Sequence, residues 1–336
     1  MRTGLRTRRP RRDVILCYHR VAELDCDPQL LAVTPEHFDE HLESIAAEYE
    51  SQTLDELAAG ERGSSPRPAV VITFDDGYSD NLLCAAPMLE RHDLAATVFV
   101  ASGQVGSSRE FWWDELEFIF LQPGTVPETL EITADGCQRR FELSADAEYS
   151  EDAFRRHRTW TVLDGSLPTR RHDVYKELCA VVRPLSPSAR DTVLNELFDW
   201  AGRSRPARST RRALDREQLQ RLATSPRLSI GAHTVSHPVL STLPEDDQRH
   251  EIASGKNELE VIAGCGVSHF AYPYGAVSDY TSRTIELVRE AGFNTACTTT
   301  RAPANPGSSP FTLPRLVVRD CGGAELLKQI SHLLRT

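Results

Sequence analysis

Short apolar runs alternate along this chain with longer stretches in which apolar residues recur every three or four positions. Residues 14–18 (Val-Ile-Leu-Cys-Tyr) and 69–74 (Ala-Val-Val-Ile-Thr-Phe) are the first such runs, and 95–101, 228–232, 269–272, 294–299 and 313–318 follow. β-branched, apolar runs of this length, cut off by glycine, proline or charge, predict strands covered on both faces. The intervening stretches predict helices. Phe38, Leu42 and Ile45 fall at helical spacing behind Thr34-Pro35-Glu36. Thr34 there is placed to cap, Pro35 to fill the first helical position, and His37 stands where a capping-box acid would sit. Further helices are expected near 79–91, 215–222, 245–262, 278–291 and from Ala324 onward. Strands that alternate with helices imply right-handed crossovers and a parallel sheet. About seven such units predict an α/β fold, a distorted (β/α)7 barrel whose post-strand loops line one face.

The alternation breaks between 104 and 212. Phe111-Trp112-Trp113 opens an apolar helical pattern with Leu116 and Phe120, and residues 130–143 read as a β-hairpin turning on Asp135-Gly136. Helical patterns near 175–182 and 188–200 follow, then the polar, basic stretch 202–212. The expected organisation is therefore a basic tail (1–13), a first part of the barrel (14–103), a mainly helical insertion (104–212) and a second part of the barrel (213–336). The aromatic cluster at 111–113 reads first as core. Its place directly after a strand of the active face also makes it a candidate wall or lid over the site.

Composition narrows the function classes. The chain has 336 residues, 40% of them hydrophobic and 26% charged, as in ordinary soluble globular proteins. A formal net charge of −11 argues against a nucleic-acid binder. The basic block Arg2, Arg6, Arg8, Arg9, Arg11 and Arg12 runs into Asp13 and a strand, not an apolar leader segment, so neither a secretory signal nor a membrane span is expected. It reads as a solvated tail, with weak contact to anionic lipid headgroups as the sharper alternative. The eight cysteines include no C-x-x-C pair and several sit in apolar runs, which suits reduced thiols and a cytoplasmic location.

The chemistry gathers where strands end. The run 69–74 stops at Asp75-Asp76-Gly77, two carboxylates that need a cation, a proton or water if buried. Another strand ends at His233-Thr234-Val235-Ser236-His237, whose i,i+4 histidines on a helical turn would share one face. Two imidazoles and a carboxylate from a neighbouring strand end make a divalent cation site that leaves open positions for water and substrate. His19, Tyr274 and Arg315 lie at or near other strand ends.

These motifs carry a resemblance. T-F-D-D-G at 73–77 and H-T-V-S-H at 233–237 resemble the first two motifs of the polysaccharide deacetylases of carbohydrate esterase family four, the NodB-homology group. The likeness covers about 14–101 and 215–318, not the insertion. It implies Asp75 as general base, with Asp76, His233 and His237 binding a divalent metal, usually Zn²⁺. Tyr274 in Pro273-Tyr274-Gly275 resembles the third motif, whose backbone N–H faces the developing oxyanion. Two departures stand out. Ala271 occupies the position, two before that proline, where the family has an arginine that holds the base; Arg315 is the candidate replacement from another strand. The late leucine-x-histidine motif is missing, since Leu316-Val317-Val318-Arg319 has no histidine. Tyr18-His19 resembles the motif of the poly-N-acetylglucosamine deacetylase branch, which makes His19 the candidate acid. The resemblance implies a metal-dependent hydrolase that removes N-acetyl groups from an amino-sugar glycan, or from a lipid-linked or nucleotide-linked precursor, and releases acetate. Another amide or ester hydrolase (O-acetyl, formyl or imide substrates) and a glycan-binding barrel without catalysis are the rival readings.

Overall fold

A computed structural model describes residues 12–60, 67–305 and 307–335. All of the basic tail except Arg12 and Asp13 lies outside them. Seven parallel strands form the main sheet: β1 (Val14–Tyr18), β2 (Ala69–Phe74), β3 (Ala96–Val100), β4 (Leu228–Ala232), β5 (His269–Ala271), β6 (Thr295–Cys297) and β7 (Leu316–Val317). Their order is β6-β5-β4-β3-β2-β1-β7, with the short Glu50–Ser51 strand also paired to β2. The chain before β7 closes the ring. Ala296 donates to Pro310 O and Leu313 donates back to Ala296 O, both at 2.8 Å, while Leu316 and Val317 pair with β1. Only two residues of the expected 313–318 strand are regular, because Pro314 has no N–H to give a ladder.

Strand parity explains the layering. Val14, Leu16, Tyr18, Val70, Ile72 and Phe74 pack outward in one large cluster with helix residues such as Phe38, Leu42 and Ile45. The opposite parity (Ile15, Val71, Phe99) fills the barrel interior. Gly231 pairs with Phe99 across β4 and β3, and a Cβ there would meet the ring at 2.3 Å, so glycine makes room for the aromatic plug. The inward rows Ile15-Cys17-His19 and Val71-Thr73-Asp75 run in register, Cys17 opposite Thr73, and so bring His19 and Asp75 to the same mouth.

The helices sit where the periodicity puts them, with boundary shifts. Thr34 caps Pro35–Glu48 through its side chain. The segment expected as one helix near 79–91 begins with a wider turn at Asn81–Ala85 before the α-helix Ala86–Arg91. The hairpin Thr129–Ala134/Cys137–Glu142 turns on Asp135 and Gly136, both at positive φ. A second hydrophobic cluster joins Leu116, Ile119, Val174, Leu178, Leu194 and Leu197, among others, across the helices Trp112–Phe120, Arg170–Val182 and Pro187–Ala201. The first of these helices buries four carboxylates of its own segment, Glu110, Asp114, Glu115 and Glu117. The basic stretch near 205–211 meets them: Arg208 pairs with Glu110 and Glu117 at 2.6 Å, Arg211 with Asp114 at 2.7 Å, and Arg205 with Glu115 at 3.1 Å. What reads in sequence as a polar linker is the counter-charge that allows this helix to be buried.

Candidate active site

Asp75 follows the parity of β2 and faces the barrel axis. Arg315, fully buried just before β7, donates Nη1 to Asp75 Oδ1 at 2.7 Å and Nη2 to Oδ2 at 2.6 Å. The same guanidinium is fixed by Thr73 Oγ1 and Thr298 O. Burial alone would raise the carboxyl's pKa; the charge and paired hydrogen bonds of Arg315 outweigh it and hold Asp75 well below the ordinary carboxylate range.

Asp76 should face outward by parity. Its φ of +73° ends the strand and turns the carboxylate back over the mouth. There Oδ1 lies 3.3 Å from His237 Nε2 and 3.7 Å from His233 Nε2. Burial, then the negative charges of Asp75 and Asp114, push Asp76 well above the ordinary range. Two adjacent carboxylates thus sit in opposed environments: one has a cation already, the other lacks one.

The donor set fits a divalent cation. The three ligand atoms of Asp76, His233 and His237 lie within 4.8 Å of one another and all three residues are buried. His233 Nδ1 donates to Ala271 O at 2.7 Å, which leaves Nε2 aimed inward as an acceptor. The β5 position that lacks the family's arginine therefore still serves the site through its carbonyl. His237 Nδ1 has no hydrogen-bond partner among the described residues. Aromatic packing orients that ring instead, with Tyr274 at 4.7 Å and Trp113 at 5.2 Å between ring centres. Cys17, His19 and Asp75 form a second such cluster. It suits a cation poorly, because Arg315 already holds both Asp75 oxygens and burial raises the Cys17 thiol pKa far above its ordinary value.

His19 lies in the same pocket, its pKa drawn down to about 4 by burial, which outweighs the pull of Asp75. Tyr274 has φ +62°, and Thr299 clamps its carbonyl through Oγ1 at 2.8 Å. All seven residues singled out from the sequence thus converge on one barrel mouth: six line the pocket, and Arg315 lies beneath it against Asp75.

The backbone here is strained. Asp76, Thr234, His237 and Tyr274 are half of the eight non-glycine residues with positive φ among the described ones. Such positions cost roughly 1–3 kcal/mol each and persist only where the surroundings over-determine them. The surroundings are residues that motif reading misses. Glu251 accepts from Val235 N at 3.0 Å and from Ser236 N at 2.9 Å, and from Ser236 Oγ at 2.6 Å. Arg190 donates to Ser236 O and His237 O. Gly255 packs so closely that a Cβ would meet Thr234 C at 2.8 Å. A signal for Glu251 exists: it is a carboxylate within the helical stripe Gln248, Ile252, Gly255, Leu259, Ile262 that faces the core.

The cavity measures about 300 Å³, and residues between 112 and 183, including Trp112, Trp113, Val162, Cys179 and Arg183, also line it. Trp113 Nε1 donates to Tyr78 OH at 2.8 Å, and Tyr78 donates to Asp114 at 2.6 Å, so the tryptophan is tied to the Asp75 loop. A larger, shallower groove of about 790 Å³ around Val277 and Pro303 has no carboxylate, imidazole, lysine or arginine among the described residues that line it.

The sequence profile of polysaccharide deacetylases matches residues 62–136 and 199–296, just over half of the chain. The chain belongs to the polysaccharide deacetylase family. A Bacillus subtilis (strain 168) protein named for polysaccharide deacetylation, YxkH, is 27% identical over 116 residues, 34% of this chain and 40% of its own length. The match thus spans well under half of that curated relative. Two solved structures share the fold. One is the Streptococcus pyogenes deacetylase PplD in complex with acetate, with 17% identity and a TM-score of 0.58 over 96% of this chain and 99% of that one. The other is IcaB from Ammonifex degensii, with 19% identity and a TM-score of 0.58 over 97% and 98%.

Proposed function

We propose that this protein is a divalent-cation-dependent hydrolase that removes N-acetyl groups from an amino-sugar glycan or glycan precursor and releases acetate. The observation that carries the reading is the division between Asp75, paired with Arg315, and Asp76, which faces two imidazoles and forms no ion pair with a lysine or arginine among the described residues. Two histidine nitrogens and one carboxylate oxygen with room for further ligands favour Zn²⁺. A divalent ion held there supplies a Lewis acid for the amide carbonyl and acidifies water beside it.

The chain's own groups supply the rest. Asp75 is ionised across the working pH range and takes a proton from the attacking water as the new C–O bond forms. The Tyr274 backbone N–H donates to the carbonyl oxygen as charge develops there. His19 is neutral at pH 7, so it relays a proton and does not store one. The proton taken up by Asp75 passes to His19, which lies in the same cluster of ligand atoms, and on to the nitrogen as the C–N bond breaks. The acid's remaining proton also passes to the amine, so the products are acetate and the ammonium form of the amino sugar, and Asp75 and His19 return to their starting states.

We also take 104–212 as an insertion between barrel parts 14–103 and 213–336, with its helices roofing the site. A cytoplasmic setting is part of the same proposal. All eight cysteines are free, which accords with a reducing compartment. No helix of the described residues is long and apolar enough to cross a membrane.

The test is acetate release from N-acetylglucosamine oligomers before chelation, after it, and after Zn²⁺ is restored, alongside Asp75→Asn and His19→Ala. Each substitution should lower turnover about 10²- to 10⁴-fold. Full activity after chelation, or in Asp75→Asn, sinks the proposal. Release only from O-acetyl xylan or formylated sugars would mark another hydrolase on this scaffold, and glycan binding with no release a barrel without catalysis.

A further inference from the structure

The pocket wall built by the helix Arg170–Val182 carries a second kind of recognition. Lys176, Cys179, Ala180 and Arg183 line the cavity, and their i, i+3, i+4, i+7 spacing puts them on one face of the helix Arg170–Val182 and its C-cap. That face has a cation at each end and small apolar side chains between. The chain has only three lysines, so Lys176 is not a sample of a lysine-rich surface. Lys256 caps the Ala291 and Gly292 carbonyls and Lys328 pairs with Glu325. Lys176 is exposed at the cavity and pairs with no carboxylate among the described residues.

Arg183 is held in place without being used up. Its guanidinium stacks 4.3 Å over the Tyr274 ring, and Nη2 reaches Asp279 Oδ1 at 2.6 Å. The remaining donors of the fork have no partner among the described residues, and its side chain is 38% exposed. The two carboxylates of the cavity do not oppose these cations. Asp75 is matched by Arg315, and Asp76 by the cation it would hold. With Arg183 matched by Asp279, the uncompensated side-chain charge on this wall is the Lys176 ammonium, and Arg183 adds its remaining N–H donors.

We infer that the substrate carries an oxyanion substituent, a phosphoryl or carboxylate group, close to its acetamido group, and that Lys176 and Arg183 bind it. This rests on the deacetylase reading above and adds the class of sugar. A compact ammonium beside a partly satisfied guanidinium fork suits a group with several anionic oxygens.

Acetate release is compared for a neutral N-acetylglucosamine oligomer, an N-acetylhexosamine 1-phosphate and an N-acetylhexosaminuronic acid. The native protein should favour one anionic sugar by about tenfold in kcat/KM, and the preferred anion identifies the group. Lys176→Gln should cut that preference about tenfold, Lys176→Arg should keep it, and added salt should shrink it. No anionic preference in the native protein, or an unchanged ratio in Lys176→Gln, overturns the inference. Calorimetry of the two anionic sugars on the chelated full-length protein reads the same contact without turnover and without the cation's own pull. Binding should weaken about tenfold in Lys176→Gln, and equal binding overturns the inference. If no compound releases acetate, the deacetylase reading fails while the calorimetric comparison still decides this one.

Discussion

Replacing Arg315 with methionine isolates the interaction that distinguishes Asp75 from Asp76. The guanidinium is fully buried and spends two N–H groups on Asp75, at 2.7 and 2.6 Å. Methionine fills much of the same space but leaves the carboxylate, only 4% exposed, without a counter-charge. Removing one partner of a buried pair costs about 3–5 kcal/mol while the other stays ionised. Protonation is the escape, so the carboxyl's pKa should rise by roughly 1–3 units from the lost charge, with burial then unopposed. The sign follows from linkage. In the native protein the pair's stabilisation is present above the ordinary carboxylate pKa and is lost as pH falls through the depressed one. In the variant the buried carboxylate destabilises above its new, raised pKa and ceases to do so below it. The stability gap between the two proteins should therefore be widest near pH 8 and narrow toward pH 5, as read by urea unfolding.

Activity should show the same cause. The acid limb of the kcat/KM profile should move up by roughly 1–3 units, and the rate at neutral pH should fall about 10²-fold because the base loses its fixed position. Arg315→Lys keeps a charge but not the fork, so it should fall between. Adding Ala271→Arg to Arg315→Ala, which returns the arginine to the family's usual strand, should recover part of the loss. A folded Arg315→Met protein with an unmoved acid limb and a pH-independent stability gap would refute the reasoning.

Three further outcomes are expected. Asp76→Asn and His237→Ala should each abolish tight divalent-cation binding, measured by elemental analysis after dialysis; a full complement of metal in either would remove that residue from the site. Glu251→Gln should loosen the 234–237 turn and weaken cation affinity about 10- to 100-fold, whereas unchanged affinity would show that Arg190 and packing suffice. His172, buried against Tyr149, His157 and Trp160, is drawn down to about 4 by burial and then by His157. Its neutral form is the one the fold favours, so stability should drop by about 2–3 kcal/mol as pH falls from 6.5 toward 4. His172→Phe should flatten that slope by about one proton, and an identical slope would place the titration elsewhere.

The barrel and most of the residues that meet at its mouth were legible in the sequence because both rest on local rules. A strand period of two puts Asp75 on the same row as Val71 and Thr73, and the i,i+4 spacing marks His233 and His237 as a pair, although the segment is an irregular bend with Thr234 and His237 at positive φ and not the helical turn expected. The elements around them rest on relations that no local rule contains. Arg315 reaches Asp75 across 240 positions; nothing near Leu313 marks its partner, and only the alanine at 271, where the resemblance expects an arginine, pointed to it. The stretch near 205–211 looks like linker because its acidic partners lie about 90 positions earlier, inside an otherwise apolar helix. Asp76 is a third case. Parity predicts that it faces away from the mouth, and only its left-handed backbone reverses that.

That reversal links the fold to the chemistry. Two carboxylates can serve different roles at one strand end only if their environments diverge, and strict β alternation would send the second one under a helix. A left-handed residue at the strand end keeps both at the mouth at a cost of roughly 1–3 kcal/mol. The same device recurs at Thr234, His237 and Tyr274. Thr234 is the severest case, since a β-branched side chain tolerates positive φ poorly. Its conformation is held by packing against Gly255 and by Glu251 on the following two N–H groups. Thr234→Gly would relieve the backbone at once, and stability should rise or stay level while cation affinity falls, because the turn that aims His237 would then have several conformations in place of one. A Thr234→Gly protein that gained stability and bound its cation unchanged would show that the strain is incidental and that the ligands are aimed by the barrel alone.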